Sequence, residues 1–204
     1  MGQLLFFDNE HRYQLDGIEL PSVSKVTRFI SREVYGDVNQ YVLDNACDRG
    51  TKVHTATELL DKYGKVECEE EIVPYIQAYI KWRKDKGITN DQIAEIESAY
   101  GDVELGYAGT IDRIFLIDGE YWLVDFKSSS VAQRRIWDAC INGYKMLWEK
   151  KNPDKKISKM MDLHLKKDGT YKEIFVDDDP STFNACLTLE KLMQPKRKSK
   201  KGDK

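Results

Sequence analysis

The chain has 204 residues, 41% hydrophobic and 33% charged, which is enough apolar material for one globular domain and too little length for two full ones. No apolar run approaches the roughly 18 residues that cross a bilayer, and the N terminus lacks the basic and apolar regions of a secretion signal, so we expect no membrane association. The net charge is −3: the last ten residues, with six Lys or Arg and one Asp, carry +5, and the other 194 residues carry −8. A body with this negative charge argues against a generally positive surface that binds nucleic acid.

The first half of the chain predicts a small sheet followed by helices. Apolar runs alternate with turn signals at Asp8-Asn9 and Asp16-Gly17, which is typical of an N-terminal β-hairpin or meander. Ser22 or Ser24 is the predicted N-cap of the first helix. Helical patterns cover about residues 24–34, 39–63 and 73–87. Gly50 is expected to mark a break or a point of close packing in the second of them.

The second half predicts a sheet with helices beside it. The apolar period changes from 3.6 to 2 over three segments, residues 93–100, 107–117 and 121–129. A helix, a hairpin and a last helix follow, at residues 131–151, 157–177 and 181–193, with Ser181 as the cap of the last helix. The fold class is therefore predicted as α+β, with a central mixed β-sheet flanked by helices. We expect one domain over residues 1–194 and a disordered basic tail over residues 195–204.

Charged residues interrupt two of the apolar strands. Asp125 and Lys127 lie two residues apart, so they share one face of their strand, and Asp112 lies on the preceding strand. Burying a carboxylate is unfavourable unless a cation or hydrogen bonds compensate. Two carboxylates that face one point are suitable ligands for Mg²⁺ or Mn²⁺. A nearby lysine can orient or deprotonate the attacking water, or stabilise negative charge on a phosphate. The trio predicts phosphodiester hydrolysis; a structural Asp–Lys ion pair is the alternative. Glu95 and Glu97 are candidates for a further carboxylate, although alternating Glu more commonly marks an exposed strand face.

Sulfur and indole side chains are predicted to be structural. The four cysteines are scattered without a C-x-x-C pair, which indicates reduced thiols rather than a zinc or iron–sulfur site; they are Cys47, Cys68, Cys140 and Cys186. Tryptophans can stack on frayed bases, but they are more often buried. We therefore expect at least three of the four in the core; they are Trp82, Trp122, Trp137 and Trp148.

Several motifs follow one another in a fixed order over about residues 45–150, with an entry motif before them. They are Leu20-Pro21-Ser22-Val23-Ser24, Arg49-Gly50-Thr51-Lys52-Val53-His54, Gly109-Thr110-Ile111-Asp112, Leu123-Val124-Asp125-Phe126-Lys127-Ser128-Ser129, and Tyr144. This series resembles the core of the PD-(D/E)XK nuclease superfamily, in particular its RecB-like and phage exonuclease branch. The resemblance implies a restriction-endonuclease-like core and a metal-dependent deoxyribonuclease that leaves a 5′-phosphate.

The resemblance also implies roles for individual residues. Asp112 and Asp125 would ligate Mg²⁺ or Mn²⁺ together with the backbone carbonyl of Phe126, Lys127 would be the catalytic lysine, and His54 would lie at the metal. The catalytic set would further include Tyr144, which belongs to a helical element that contacts substrate or the lysine. Glu58 lies one helical turn after His54, where it would bind a water or a second cation or, equally, face solvent.

The chain departs from the resembling family at Cys140, which stands where a glutamine is usual, four residues before Tyr144. This substitution favours an alternative: a catalytically weakened accessory protein of nuclease fold that binds DNA or a protein. Relatives with an iron–sulfur cluster use clustered C-terminal cysteines, so no cluster is predicted. The implied partners are DNA and a single-strand annealing protein, in the cytoplasm of a bacterial host cell. Arg134, Arg135 and the tail are candidates for phosphate contacts, or else a solvated face and a solubilising tail.

Overall fold

A computed structural model describes residues 3–7 and 12–193, so the predicted turn at Asp8-Asn9 and the basic tail lie outside the described residues. The strands are β1 (Leu4–Phe7), β2 (Arg12–Leu15), β3 (Ile18–Leu20), β4 (Ile93–Asp102), β5 (Tyr107–Ile117), β6 (Glu120–Lys127), β7 (Ile157–Leu165) and β8 (Tyr171–Val176). The helices are α1 (Val23–Val26), α2 (Arg28–Tyr35), α3 (Gln40–Tyr63), α4 (Val73–Lys86), α5 (Arg134–Lys151) and α6 (Ser181–Met193). The predicted α+β class is confirmed.

The central sheet has five strands in the order β4-β5-β6-β7-β8. It is mixed, because β6 and β7 run parallel while the other neighbours are antiparallel. Helix α5 makes the connection between β6 and β7, as a parallel pair requires. The predicted N-terminal hairpin is present as part of a separate antiparallel sheet of β1, β2 and β3.

Both faces of the central sheet are covered by helices. Buried side chains of α3 and α4 pack against one face, and they include Val53, Ala56, Tyr79 and Trp82 against Phe115, Val124, Phe126 and Met161. Buried side chains of α5 pack against the other, and they include Ile141 and Trp148 against Ile111, Ile114, Leu123 and Met160. Three tryptophans are buried as predicted: Trp82, Trp137 and Trp148.

The first helices differ from their predicted boundaries. Ser22 caps α1 as predicted, since its Oγ accepts a hydrogen bond from the Lys25 N–H at 3.0 Å. The predicted helix over residues 24–34 is divided at Thr27, whose Oγ1 donates back to the Val23 carbonyl at 3.2 Å. Helix α3 runs without a break through Gly50.

The later helices begin differently from the predictions. Helix α5 starts at Arg134, three residues after the predicted start. Ser181 is the first residue of α6 rather than its cap, and its N–H donates to Asp179 Oδ1 at 3.0 Å. Among the described residues, no helix combines the length and the apolar character that a membrane span needs.

Two helical glycines provide a test of the packing. A Cβ at Gly143 would lie 2.6 Å from the buried ring of Phe183, whereas one at Gly50 would meet only Ser128 Oγ, at 3.9 Å. We expect Gly143→Ala to lower the free energy of unfolding by about 1–3 kcal/mol through overpacking. Gly50→Ala is expected to leave it unchanged or to raise it by up to about 1 kcal/mol, because Ala favours a helix. Urea unfolding measures both, and equal losses in the two variants would contradict this account.

Candidate metal and nuclease site

His54 reaches the sheet from the middle of α3. Its neighbour Val53 is fully buried in the core under β6, which fixes this turn of the helix against the sheet. His54 Nε2 lies 3.2 Å from the carbonyl oxygen of Phe126, and the two rings meet edge to face with centroids 6.1 Å apart. His54 Nδ1 lies 3.2 Å from Asp112 Oδ1. The predicted proximity of His54, Asp112 and the Phe126 carbonyl is thus present in the structure.

Asp112 lies where β5 and β6 separate. The ladder between these strands ends at the pair Arg113–Val124, and beyond it the backbone N–H of Phe126 donates to Asp112 Oδ2 at 2.6 Å. Asp112 therefore takes the place of a backbone acceptor in the ladder, and its other oxygen turns to His54. Asp125 lies on the β6 side of the same separation, one residue beyond the last ladder pair.

Glu97 also belongs to this cluster. The expectation that it lies on an exposed face of its strand is therefore wrong. Its side chain is 19% exposed, and its Oε1 lies 3.8 Å from His54 Nδ1. The backbone of Glu97 has a φ of 44°, in the left-handed region that is uncommon for a residue with a side chain. Glu95 has a structural role instead, because its carboxylate accepts from Trp148 Nε1 at 2.8 Å and from the Tyr100 hydroxyl at 2.6 Å.

Ligand atoms of His54, Glu97 and Asp112 all lie within 4.8 Å of one another. Burial acts to lower the pKa of His54, but the two carboxylates outweigh it and raise this pKa to about 9. Burial acts to raise the pKa of Asp112, but His54 outweighs it and lowers this pKa to about 2. Burial and the charge of Asp112 raise the pKa of Glu97 to about 8. The cluster thus attracts positive charge strongly, whether a proton or a cation.

A cavity of about 340 Å³ opens onto this cluster. Its wall combines the three cluster residues with side chains of the N-terminal segments and of α3 and α5, including Tyr13, Ser22, Glu58 and Tyr144. The cavity is therefore large enough for a small polar group such as a phosphate, and it exposes that group to His54, Glu97 and Asp112. Asp125 and Lys127 do not line it.

Lys127 and Asp125 form an ion pair with each other. Val124 and Phe126 pack on the face covered by α3 and α4, so Asp125 and Lys127 share the opposite face. Burial raises the pKa of Asp125 to about 6, although Lys127 opposes this shift. Burial acts to lower the pKa of Lys127, but Asp125 outweighs it, so the ammonium stays charged.

The remaining predicted site residues lie near the cluster but outside it. Glu58 lines the cavity and pairs with Lys62, with Nζ to Oε1 at 2.5 Å. Tyr144 packs so close to Gly109 that a Cβ there would lie 2.7 Å from its ring. Cys140, which stands where the resembling family has glutamine, is buried with its Sγ 3.4 Å from Thr27 Oγ1.

The basic residues after β6 are engaged with acids of the same chain. Arg134 donates to both carboxylate oxygens of Asp138, from Nε at 2.9 Å and from the terminal nitrogen at 3.0 Å. Arg135 lies 3.5 Å from Glu33. These contacts fit the solvated-face interpretation better than a free phosphate contact.

No protein-family model and no curated protein matches the sequence. Among solved structures, a protein called SSO0001 aligns over 72% of this chain and 87% of its own, at 13% identity and a TM-score of 0.39. A protein from Eubacterium rectale, named provisionally as an exonuclease, aligns over 72% of this chain and 64% of its own, at 13% identity and a TM-score of 0.46. This chain thus spans less than two thirds of the length of the second protein. Neither likeness assigns an activity to this chain.

Proposed function

We propose that this chain is a divalent-metal-dependent nuclease that hydrolyses phosphodiester bonds of DNA. The observation that carries the proposal is the convergence of His54, Glu97 and Asp112 on an open cavity, with the Asp125–Lys127 pair on the neighbouring strand. The ordered motifs that resemble PD-(D/E)XK nucleases support the same activity.

The donor atoms fit a hard divalent cation. Carboxylate oxygens from Glu97 and Asp112 and an imidazole nitrogen from His54 lie within 4.8 Å of one another, and the Phe126 carbonyl lies beside the same imidazole. Mg²⁺ and Mn²⁺ favour oxygen donors, and Mn²⁺ also accepts imidazole. We propose His54, Glu97 and Asp112 as the residues that would hold the cation. The resemblance adds Asp125, which lies outside this cluster, and the Phe126 carbonyl, which lies at the opposite ring nitrogen of His54 from the two carboxylates. Bound at the cluster, the cation would supply Lewis-acid activation of water and of the phosphate.

The chain's own residues would position the substrate and carry charge. The cavity would admit the scissile phosphate beside the cluster, with Ser22 at its wall as a hydrogen-bonding group. Lys127, held in the ammonium form by Asp125, would orient the attacking water or stabilise the negative charge that grows on the phosphate. Tyr144 and Glu58 line the cavity and would contact the substrate or its water.

The enzyme proposal is tested by incubating the full chain with linear duplex and single-stranded DNA in Mg²⁺ or Mn²⁺. We expect metal-dependent degradation that chelation by EDTA stops. End-labelled substrates separate exonuclease from endonuclease action and report polarity. If Mn²⁺ and DNA both bind but no strand is cut with any substrate or metal, the accessory-protein alternative replaces the enzyme.

The proposed metal site is tested separately by substituting two glutamates of β4, one inside the cluster and one outside it. We expect Glu97→Gln to weaken Mn²⁺ binding by at least about tenfold, because it removes a carboxylate from the cluster and second-shell losses alone reach that size. Glu95→Gln is the matched control, because Glu95 bonds Trp148 and Tyr100 instead of the cluster. Isothermal titration with Mn²⁺ measures both variants, and equal affinities would remove Glu97 from the proposed ligands.

The finer assignments depend on the resemblance alone. We propose a phage or prophage exonuclease that acts in recombination or DNA processing in the cytoplasm of a bacterial host cell, with a single-strand annealing protein as a partner. We also keep the proposal of one domain over residues 1–194. Pull-down with a purified annealing protein tests the partner directly.

A further inference from the structure

Asp162 is a buried acid whose role the proposed site does not include. It lies in the middle of β7 with 0% of the residue exposed. Neither of its carboxylate oxygens has a hydrogen-bond partner. A carboxyl group in this state is costly, so native structures rarely keep one without a use. Its surroundings indicate what that use is.

The register of the parallel strands sets Asp162 beside the Asp125–Lys127 pair. Asp162 is the register partner of Asp125, and His164 is the register partner of Lys127. Alternation along β7 places Asp162 and His164 on one face, and the His164 ring lies 5.2 Å from the Trp137 ring of α5. The Lys127 ammonium lies 5.8 Å from the same Trp137 ring. Two carboxyl groups therefore flank one ammonium on the face that α5 covers.

Other polar groups near Asp162 have partners of their own. His164 Nε2 lies 2.6 Å from the carbonyl oxygen of Ser129. The Arg134 guanidinium is held by Asp138. The Lys127 ammonium pairs with Asp125, the register partner of Asp162, and its flexible stem allows it to turn from one acid to the other.

We infer that Asp162 is a positioning residue that receives the Lys127 ammonium when Asp125 turns to a divalent cation. The inference rests on the proposed function, since it concerns how the same site accepts its metal. Without a second carboxyl group, cation binding by Asp125 would leave the ammonium, on a side chain that is only 19% exposed, without an acidic partner, which is unfavourable. With Asp162 present, the ammonium exchanges one partner for another and stays on the same face of the sheet.

The electrostatics agree with this exchange. Burial raises the pKa of Asp162 to about 8, Lys127 opposes the shift, and the negative charge of Asp125 adds to it. A cation bound at Asp125 offsets the negative charge of Asp125, which favours an ion pair between Lys127 and Asp162 on the face that they share. In the metal-free protein the unpaired Asp162 lowers the stability of the fold, and in the metal-loaded protein its carboxylate pairs with the Lys127 ammonium.

The test uses Asp162→Asn and measures two properties that should move in opposite directions. We expect the metal-free variant to unfold at a higher urea concentration than the wild-type chain, because a buried unpaired acid is removed. We expect the variant to bind Mn²⁺ more weakly by roughly 10- to 100-fold, because residues that contact metal ligands have effects of this size. Asp178→Asn is the control, because it removes the same charge from a side chain that is 64% exposed. An unchanged Mn²⁺ affinity in Asp162→Asn would overturn the inference whatever happens to the midpoint.

A second variant separates this inference from the proposed function. Asp125→Asn neutralises the first partner without any metal, and its crystal structure is expected to show the Lys127 ammonium hydrogen-bonded to Asp162. An ammonium that points elsewhere in that structure overturns the inference. Failure of the wild-type chain to bind Mn²⁺ overturns the metal proposal instead, and it leaves the Asp125→Asn result to decide the role of Asp162.

Discussion

Replacing Lys127 with methionine is expected to lower the rate of DNA cleavage by about 10²- to 10⁴-fold, the range reported for loss of a positioned acid–base or charge-stabilising group. Methionine keeps most of the stem volume and removes the ammonium. The loss follows because, among residues 3–7 and 12–193, Lys127 is the one lysine or arginine that forms an ion pair with Asp125. Single-turnover cleavage of end-labelled DNA measures the rate, and Mn²⁺ titration shows whether the metal still binds.

Lys159→Met is the matched control for this prediction. Lys159 lies on the neighbouring strand β7 but pairs with Glu120 at 3.1 Å on the exposed surface. We expect its cleavage rate to equal that of the wild-type chain. Equal rates for wild type and Lys127→Met would remove Lys127 from the mechanism, whereas inactivity of both with every substrate and metal would remove the nuclease proposal itself.

The fold was largely predictable because its elements follow apolar periods. The change from period 3.6 to period 2 near residue 93 marks the start of β4, and the Asp118-Gly119 turn between β5 and β6 has both residues at positive φ. The division of the first helix at Thr27 was not predictable, because it depends on the Thr27 hydroxyl, which donates to the Ser24 carbonyl at 3.3 Å, the acceptor that the Arg28 N–H would use in a continuous helix.

The candidate site, which stays a proposal, was suggested by charges that interrupt apolar strands. Asp112, Asp125 and Lys127 stand out for this reason, and the structure brings them to the place where β5 and β6 separate. Asp162 carries the same signal, an acid within Lys-Met-Met-Asp-Leu-His-Leu, yet it has no motif around it and was missed. The sequence could not show that Glu97 rather than Glu95 belongs to the cluster. The direction of the Glu97 side chain depends on a backbone φ of 44° and on the hydrogen bond from Arg113.

A buried ionic network lies under the candidate site. The Arg113 side chain is fully buried, and its Nε donates to Asp61 Oδ2 at 2.6 Å. Asp61 also accepts from the Tyr79 hydroxyl at 2.7 Å and from Arg83 at 2.8 Å. Arg113 further donates to Glu97 Oε1 at 3.1 Å. The network thus ties α3 and α4 to β5 and orients a carboxylate of the cluster.

We expect Asp61→Asn to lower the free energy of unfolding by about 3–5 kcal/mol, because it removes the carboxylate that the buried Arg113 shares with Arg83 and leaves Arg113 with Glu97 alone. This is a large part of the roughly 5–15 kcal/mol that holds a domain together. Urea unfolding measures the loss. Glu104→Gln is the control, because Glu104 pairs with Lys150 at the surface, where a substitution typically changes stability by about 0.5 kcal/mol or less.

A double-mutant cycle separates the network from ordinary packing. Asp61→Asn with Arg113→Met removes both charges, so the double variant should lose less stability than the two single losses predict together. Additive losses would show that the two residues do not depend on each other. Arg113→Met alone should also weaken Mn²⁺ binding at temperatures where the variant is folded, because Glu97 loses the guanidinium that orients it. A folded Arg113→Met with wild-type Mn²⁺ affinity would mean that the network stabilises the fold without orienting the cluster.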